Sequence, residues 1–146
     1  MATADKDGMP HVSYAPFVQR AASFYVYTSS LSQHTKNMME VAKASVMFIA
    51  DEKQTRNFFA RKRFTCMCGV GVAEREGEEW LAVMSLFENK FGEMFGMIRP
   101  LPDFTLFRLN PDGGLYVHGF GQAFSMSPDM RDSRNVTGDR TAPWPA

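Results

Sequence analysis

The sequence predicts a mainly β protein, a small barrel with helical additions, built as one domain from 146 residues. Two observations predict the class. Short runs rich in aromatic and β-branched residues recur between turn residues, and two stretches, one after Ser32 and one after Glu78, switch to the spacing of helices. At this length, with 45% hydrophobic residues, the chain can bury one real core but not comfortably two.

In chain order, residues 3–5 and 11–17 flank Lys6-Asp7-Gly8 and read as strand, hairpin turn, strand, because Asp-Gly supplies the positive φ of a short connection. Gln19-Arg20-Ala21-Ala22 reads as the next connection, leading into a third strand over residues 23–29. Ser32 is placed to cap a helix of two or three turns through Met38, Met39, Val41 and Ala42. Residues 44–50 form a fourth strand and residues 51–57 a charged connector. Residues 64–72 form a fifth strand, in which Gly69 and Gly71 suggest a bulge or bend. From Glu78, the residues Trp80, Leu81, Val83, Met84, Phe87, Phe91, Met94 and Phe95 recur at intervals of three and four, predicting an amphipathic helix of about four turns that ends near Gly96. Residues 104–109 alternate as a strand into an Asn110-Pro111-Asp112-Gly113-Gly114 turn, and residues 115–124 close the meander. The barrel is therefore expected over 1–126, with 127–146 as a loose tail or an arm packing on another subunit.

Composition narrows the function. Sixteen basic and sixteen acidic residues cancel, so no global field favours nucleic acid or an anionic membrane. No run approaches a membrane span and the first ten residues carry charges where a signal peptide needs apolar ones, which predicts a soluble protein. Cys66 and Cys68 lie two apart in an apolar strand, on one face, where a mutual disulfide is awkward; a reduced, cytoplasmic setting follows, with both thiols as core residues. Eleven methionines and thirteen phenylalanines suit an irregular core or an adaptable interface. Neither a nucleophile elbow nor a P-loop is present, and Gly119-Phe120-Gly121 lacks the rest of a dinucleotide fingerprint.

Three constellations remain. Tyr27, Thr28 and Ser29, followed by Ser32, His34, Lys36 and Asn37, gather hydroxyls, helix N–H groups and a cation where a strand ends and a helix begins, a combination suited to a phosphate. Taken alone it also reads as an ordinary polar loop with an N-cap. Arg56, Arg61, Lys62 and Arg63 gather before an apolar strand, equally a solvated strand entrance or an attraction for an anionic cofactor. His11, His34 and His118 have no metal-binding spacing; His118 is a candidate iron ligand, though a lone strand histidine is more often structural.

The ordered set of residues 2–17, 24–38 and 46–52, with Asp103-Phe104, Phe107-Arg108-Leu109 and Gly119-Phe120-Gly121-Gln122-Ala123-Phe124, resembles the pyridoxamine-phosphate-oxidase-like FMN-binding split-barrel superfamily, and within it the haem-utilisation (HugZ-like) branch. The resemblance covers residues 2 to about 126. It implies a six-stranded antiparallel split β-barrel and a homodimer with its ligand clefts between subunits. It also implies an FMN phosphate held by Tyr27, Thr28, Ser32, His34 and Lys36, with Ser13, Tyr14, Ala15 and Pro16 along the flavin ring; Arg63, from the cationic cluster, is a further candidate for binding the cofactor. In the haem-utilisation branch the interface takes haem instead, and some members cleave it. Three departures stand out: no helix precedes the first strand, the further C-terminal domain of longer relatives is missing, and the tail over 127–146 has no histidine where haem-degrading relatives place their iron ligand. The leading expectation is a flavin-dependent oxidoreductase. The alternatives are a haem-binding or haem-degrading protein of the same fold, and a non-catalytic dimer.

Overall fold

The computed structural model describes residues 1–138, which divide into two compact units. The first combines Met1–Ala44 with Gly69–Asn110, and the second combines Ser45–Cys68 with the described chain from Pro111 onward.

In the first unit, β1 (Ala2–Ala4) pairs antiparallel with β2 (Pro10–Val12). Asp5 closes the connection, its Oδ1 accepting from the backbone N–H groups of Asp7 and Met9. The second strand stops at Val12 instead of running to Phe17, and β3 (Phe17–Arg20) occupies the segment read as a connection. Pro16 has no N–H for a ladder, so regular pairing resumes only after it. The turn that follows needs only Ala21 and Ala22, with Ala21 at φ +53°, a left-handed alanine that no turn residue announces. β4 (Ser23–Ser29) then pairs with β3, and Phe24 through Thr28 are all buried.

α1 (Gln33–Val41) begins after Ser32 as expected, although the Ser32 hydroxyl makes no capping bond. The helix is pinned by polar side chains. Asn37 Nδ2 donates to Thr3 Oγ1 at 3.0 Å, and the Thr35 hydroxyl donates to that of Thr28 at 2.9 Å. β5 (Lys43–Ile49) and β6 (Arg63–Val72) run from one unit into the other. In the second unit the chain between them holds two single turns of 3-10 helix, Glu52–Gln54 and Phe58–Ala60. Side chains of Asp51 and Asn57 cap them. Cys66 and Cys68 are buried free thiols with sulfurs 3.7 Å apart, as their shared strand face requires. Their mutual hydrogen bond, reinforced by burial, pushes the Cys68 thiol up from its ordinary value.

The long amphipathic stretch forms two helices, α2 (Glu78–Phe91) and α3 (Glu93–Ile98), because Gly92 takes φ +60° and breaks the ladder earlier than Gly96. Trp80, Val83, Met84 and Phe87 of α2 and Phe95 of α3 join Val18, Tyr25, Tyr27 and Leu106 in the core of the first unit. The apolar periodicity thus survives the break, since Phe87 and Phe95 stack at 4.9 Å across it.

β7 (Phe104–Gly119) runs for 16 residues straight through the Asn110–Gly114 segment expected to turn. Pro111, Gly113 and Gly114 are buried within it. Gly114 answers a demand for close approach, since a Cβ there would stand 2.3 Å from the Phe64 ring; Gly113 takes φ +102°, and a Cβ on it would also stand 2.8 Å from the Met126 carbonyl oxygen. The reversal comes instead at Phe120-Gly121, leading to β8 (Gln122–Met126), which pairs with β7. The chain expected as a loose tail or an arm on another subunit contributes β9 (Ser133–Asn135), paired to β8; residues 139–146 of that segment lie outside the described residues.

The hydrogen-bonded strand order is β2-β1-β5-β6-β7-β4-β3, with β8 on β7 and β9 on β8. Nine strands replace the expected six among the described residues. Three of them, β1, β2 and β9, are only three residues long.

Candidate functional site

The second unit holds a cavity of about 480 Å³ between the β5–β6 connection and the end of β7. The connection contributes Arg56, Arg61 and Lys62, and β7 with its turn contributes His118, Gly119 and Phe120; no carboxylate lines the cavity among the described residues. The wall is held by local bonds. Arg61 Nε donates to the Ala50 carbonyl at 2.6 Å and its Nη1 to Glu52 Oε1 at 2.8 Å, so this cation is already neutralised. Asn57 Oδ1 accepts from the Phe59 N–H at 3.0 Å, fixing the turn beside it. Arg56 and Lys62 are exposed and have no side-chain partner among the described residues. They leave two uncompensated positive charges at the cavity.

His118 owes its position to an irregularity. Val117 pairs with Ala123 and Gly119 with Gln122, so two steps on β7 match one on β8 and His118 is the extra residue. A bulge of this kind re-aims a side chain out of the regular alternation. The Tyr116 hydroxyl lies 3.1 Å from His118 Nδ1, which orients the ring and leaves Nε2 as the nitrogen for a ligand. Three of the four cations singled out in sequence thus meet the singled-out histidine. Arg63 does not line the cavity; its Nη1 donates to the Arg61 carbonyl.

The expected phosphate corner is distributed differently. Thr28 is buried and accepts from Thr35, and Tyr27 is buried with its hydroxyl donating to the Arg99 carbonyl at 2.9 Å, so both carry structural bonds. Pro16 and Tyr27 do come together, but at an apolar cavity of about 100 Å³ with Phe87, Phe91, Met94 and Phe95. Tyr14 is 85% exposed and Lys36 is exposed, while Ser32 and Ala15 are half-buried. Ser13 exchanges backbone hydrogen bonds with Met1, yet its buried Oγ, like His11 Nδ1, has no partner among the described residues.

His34 is buried at 8% exposure, and burial, then the charges of His11 and the Met1 amino group, hold its imidazole below the ordinary histidine value. Desolvation thus disfavours the cationic form of this imidazole at the corner expected to hold a phosphate. An unfolded imidazole titrates near ~6.5, above the folded one, so its stabilising contribution is present above that pH and is lost as pH falls through the lowered folded value. Thermal melts should show the midpoint dropping from about pH 7 to about pH 5, and His34→Gln should flatten that part of the profile. A wild-type midpoint unchanged across this window contradicts the assignment.

Among the described residues no group of three or more His, Cys, Asp or Glu side chains forms a metal-binding cluster, and no helix is long and apolar enough to cross a membrane.

Antiparallel strands with these helical insertions define a split-barrel protein of the mainly β class. The chain belongs to the pyridoxamine 5'-phosphate oxidase family, whose model matches residues 1–118, and within that superfamily to the haem-utilisation branch. It is 42% identical over 129 residues to heme oxygenase HutZ of Vibrio cholerae, covering 88% of this chain and 73% of that protein. The crystal structure of Vibrio cholerae HutZ, described there as a heme storage protein, superposes with TM-score 0.72 at 40% identity, over 75% of this chain and 78% of that one. Campylobacter jejuni ChuZ superposes with TM-score 0.78 at 33% identity over 86% of this chain, which spans about half of ChuZ, 52%.

Proposed function

We propose that this protein binds haem in the service of iron utilisation, with the cavity of the second unit as its haem site. The observation that carries the reading is His118: an exposed imidazole on a strand bulge, engaged at Nδ1 by Tyr116, shares one cavity with Phe120 and two cations unpaired among the described residues. Haem offers what that set of groups recognises, an iron that accepts imidazole, a flat apolar macrocycle and carboxylates. When bound, it would supply redox-active iron. His118 Nε2 is the candidate ligand, Tyr116 Oη the acceptor that holds the proton on Nδ1, and Phe120 an apolar surface. The similarity to Vibrio cholerae HutZ, named a heme oxygenase and also described as a heme storage protein, supports the same reading.

The experiment is titration of the purified chain with haemin. A sharpened, shifted Soret band is expected in the wild type, and His118→Ala should lose the ligated spectrum. An identical spectrum for the variant would remove His118 as the ligand.

A second reading, FMN binding by a flavin-dependent oxidoreductase, is favoured by the orphaned Ser13 Oγ in the segment expected along the flavin ring. Ser32 and Lys36 remain available to a phosphate there, although Thr28 and His34 are buried. FMN retained through desalting, with flavin absorbance lost in Lys36→Ala, is the outcome that would favour this reading over haem. Either cofactor is proposed to act in a homodimer, a state that sedimentation of the same sample measures.

A further inference from the structure

We propose that Arg56 and Lys62 make the cavity a carboxylate-reading site, so that it takes a tetrapyrrole dicarboxylate whether or not a metal is present. The inference rests on the reading of this cavity as the haem site and adds to it the class of ligand recognised without iron.

Three cations and no acidic side chain line the cavity among the described residues. Their roles separate by partner. Arg61 spends its guanidinium on the Ala50 carbonyl and Glu52, which makes it part of the wall, whereas Arg56 and Lys62 have no side-chain partner among the described residues. The chain places both firmly: Arg56 lies between the two 3-10 turns capped by Asp51 and Asn57, and Lys62 lies at the entry to β6, where its own carbonyl accepts from Ala50 N–H at 2.9 Å. Two cations with no counter-charge among the described residues leave net positive charge over a space partly walled by Phe120 and by apolar alanine side chains. A ligand that satisfies such a wall is flat and apolar with anionic groups at its edge. Imidazole ligation and carboxylate pairing are then separate contributions, the first needing a metal and the second indifferent to it.

The experiment uses the full chain and two metal-free probes, protoporphyrin and its dimethyl ester, with affinity read from quenching of porphyrin fluorescence. Wild type is expected to bind the diacid at least about tenfold more tightly than the ester, since a hydrogen bond to a charged group contributes enough for a factor of that order. Arg56→Gln with Lys62→Gln should erase the difference. Added salt should weaken the diacid and not the ester.

Equal affinity for diacid and ester in the wild type overturns the inference, and because that arm needs no substitution, misfolding of a variant cannot mimic it. If haemin still gives a His118-dependent Soret shift in that case, the haem reading stands without this addition. If neither haemin nor protoporphyrin binds, the cavity is not a tetrapyrrole site and both fall.

Discussion

Trp80→Ala is expected to destabilise the protein by about 3–5 kcal/mol, the usual cost of emptying a fully packed indole site, against a total stability of roughly 5–15 kcal/mol for a domain. Trp80 is 2% exposed and lies in one core cluster with Val83, Met84 and Phe87 of its own helix and Tyr25 and Leu106 of the sheet. The guanidinium groups of Arg75 and Arg99 stand 5.7 and 5.3 Å from its ring, so truncation also removes two cation–π contacts and the ring they rest on. Urea unfolding followed by circular dichroism measures the loss. The neighbouring Leu81, 43% exposed on the same helix, provides the contrast: Leu81→Ala should stay within about 0.5 kcal/mol. Equal effects of the two substitutions would mean that α2 does not bury the face described.

Gly114→Ala, the smallest possible enlargement, is expected to cost about 1–3 kcal/mol or more, through overpacking rather than through a cavity. The added methyl would meet the Phe64 ring at 2.3 and 2.5 Å and the Thr65 carbonyl oxygen at 2.9 Å. Phe64 can rotate only by giving up its stacking on Phe48, and the Thr65 carbonyl is backbone, which moves only with its strand. A cold-stable, heat-labile variant with a melting midpoint lowered by several degrees is the expected result. Gly69→Ala is the control, because nothing lies within 4 Å of a Cβ built there. Were Gly114→Ala as stable as the control, the close approach of Phe64 would be refuted.

These two cases also show where sequence reading succeeds. The α2 face was legible because apolar spacing of three and four is a local property that survives even the break at Gly92. Gly113 and Gly114 were legible only as permissive residues. Gly113 does take the positive φ that a turn would ask of it, at +102°, but within a continuing strand, and nothing local says that Phe64, fifty residues before Gly114, occupies the space a side chain there would need. The strand over residues 17–20 was missed for the converse reason: its turn is made by Ala21 in a left-handed conformation, for which alanine carries no signal.

The candidate site divides along the same line. His118 and the cations Arg56, Arg61 and Lys62 stood out by residue type, and the structure brings them to one cavity. Their inequality was invisible beforehand, since the capture of Arg61 by Glu52 and the bulge at His118 depend on strand register and loop path. Thr28, Tyr27 and His34 stood out equally by type; packing buries all three, and the hydroxyls of Thr28 and Tyr27 tie β4 to Thr35 of α1 and to Arg99 at the end of α3.

By itself the amino-acid order determined the class of fold, most strands, both helical regions, the buried thiol pair and the family to which the chain belongs, because each is written in neighbouring residues or in ordered matches along the chain. Only the tertiary structure decided which polar residues are spent on packing and which remain free for a ligand. That choice depends on pairing between residues distant in sequence, where a one-residue shift in register moves a side chain to the opposite face.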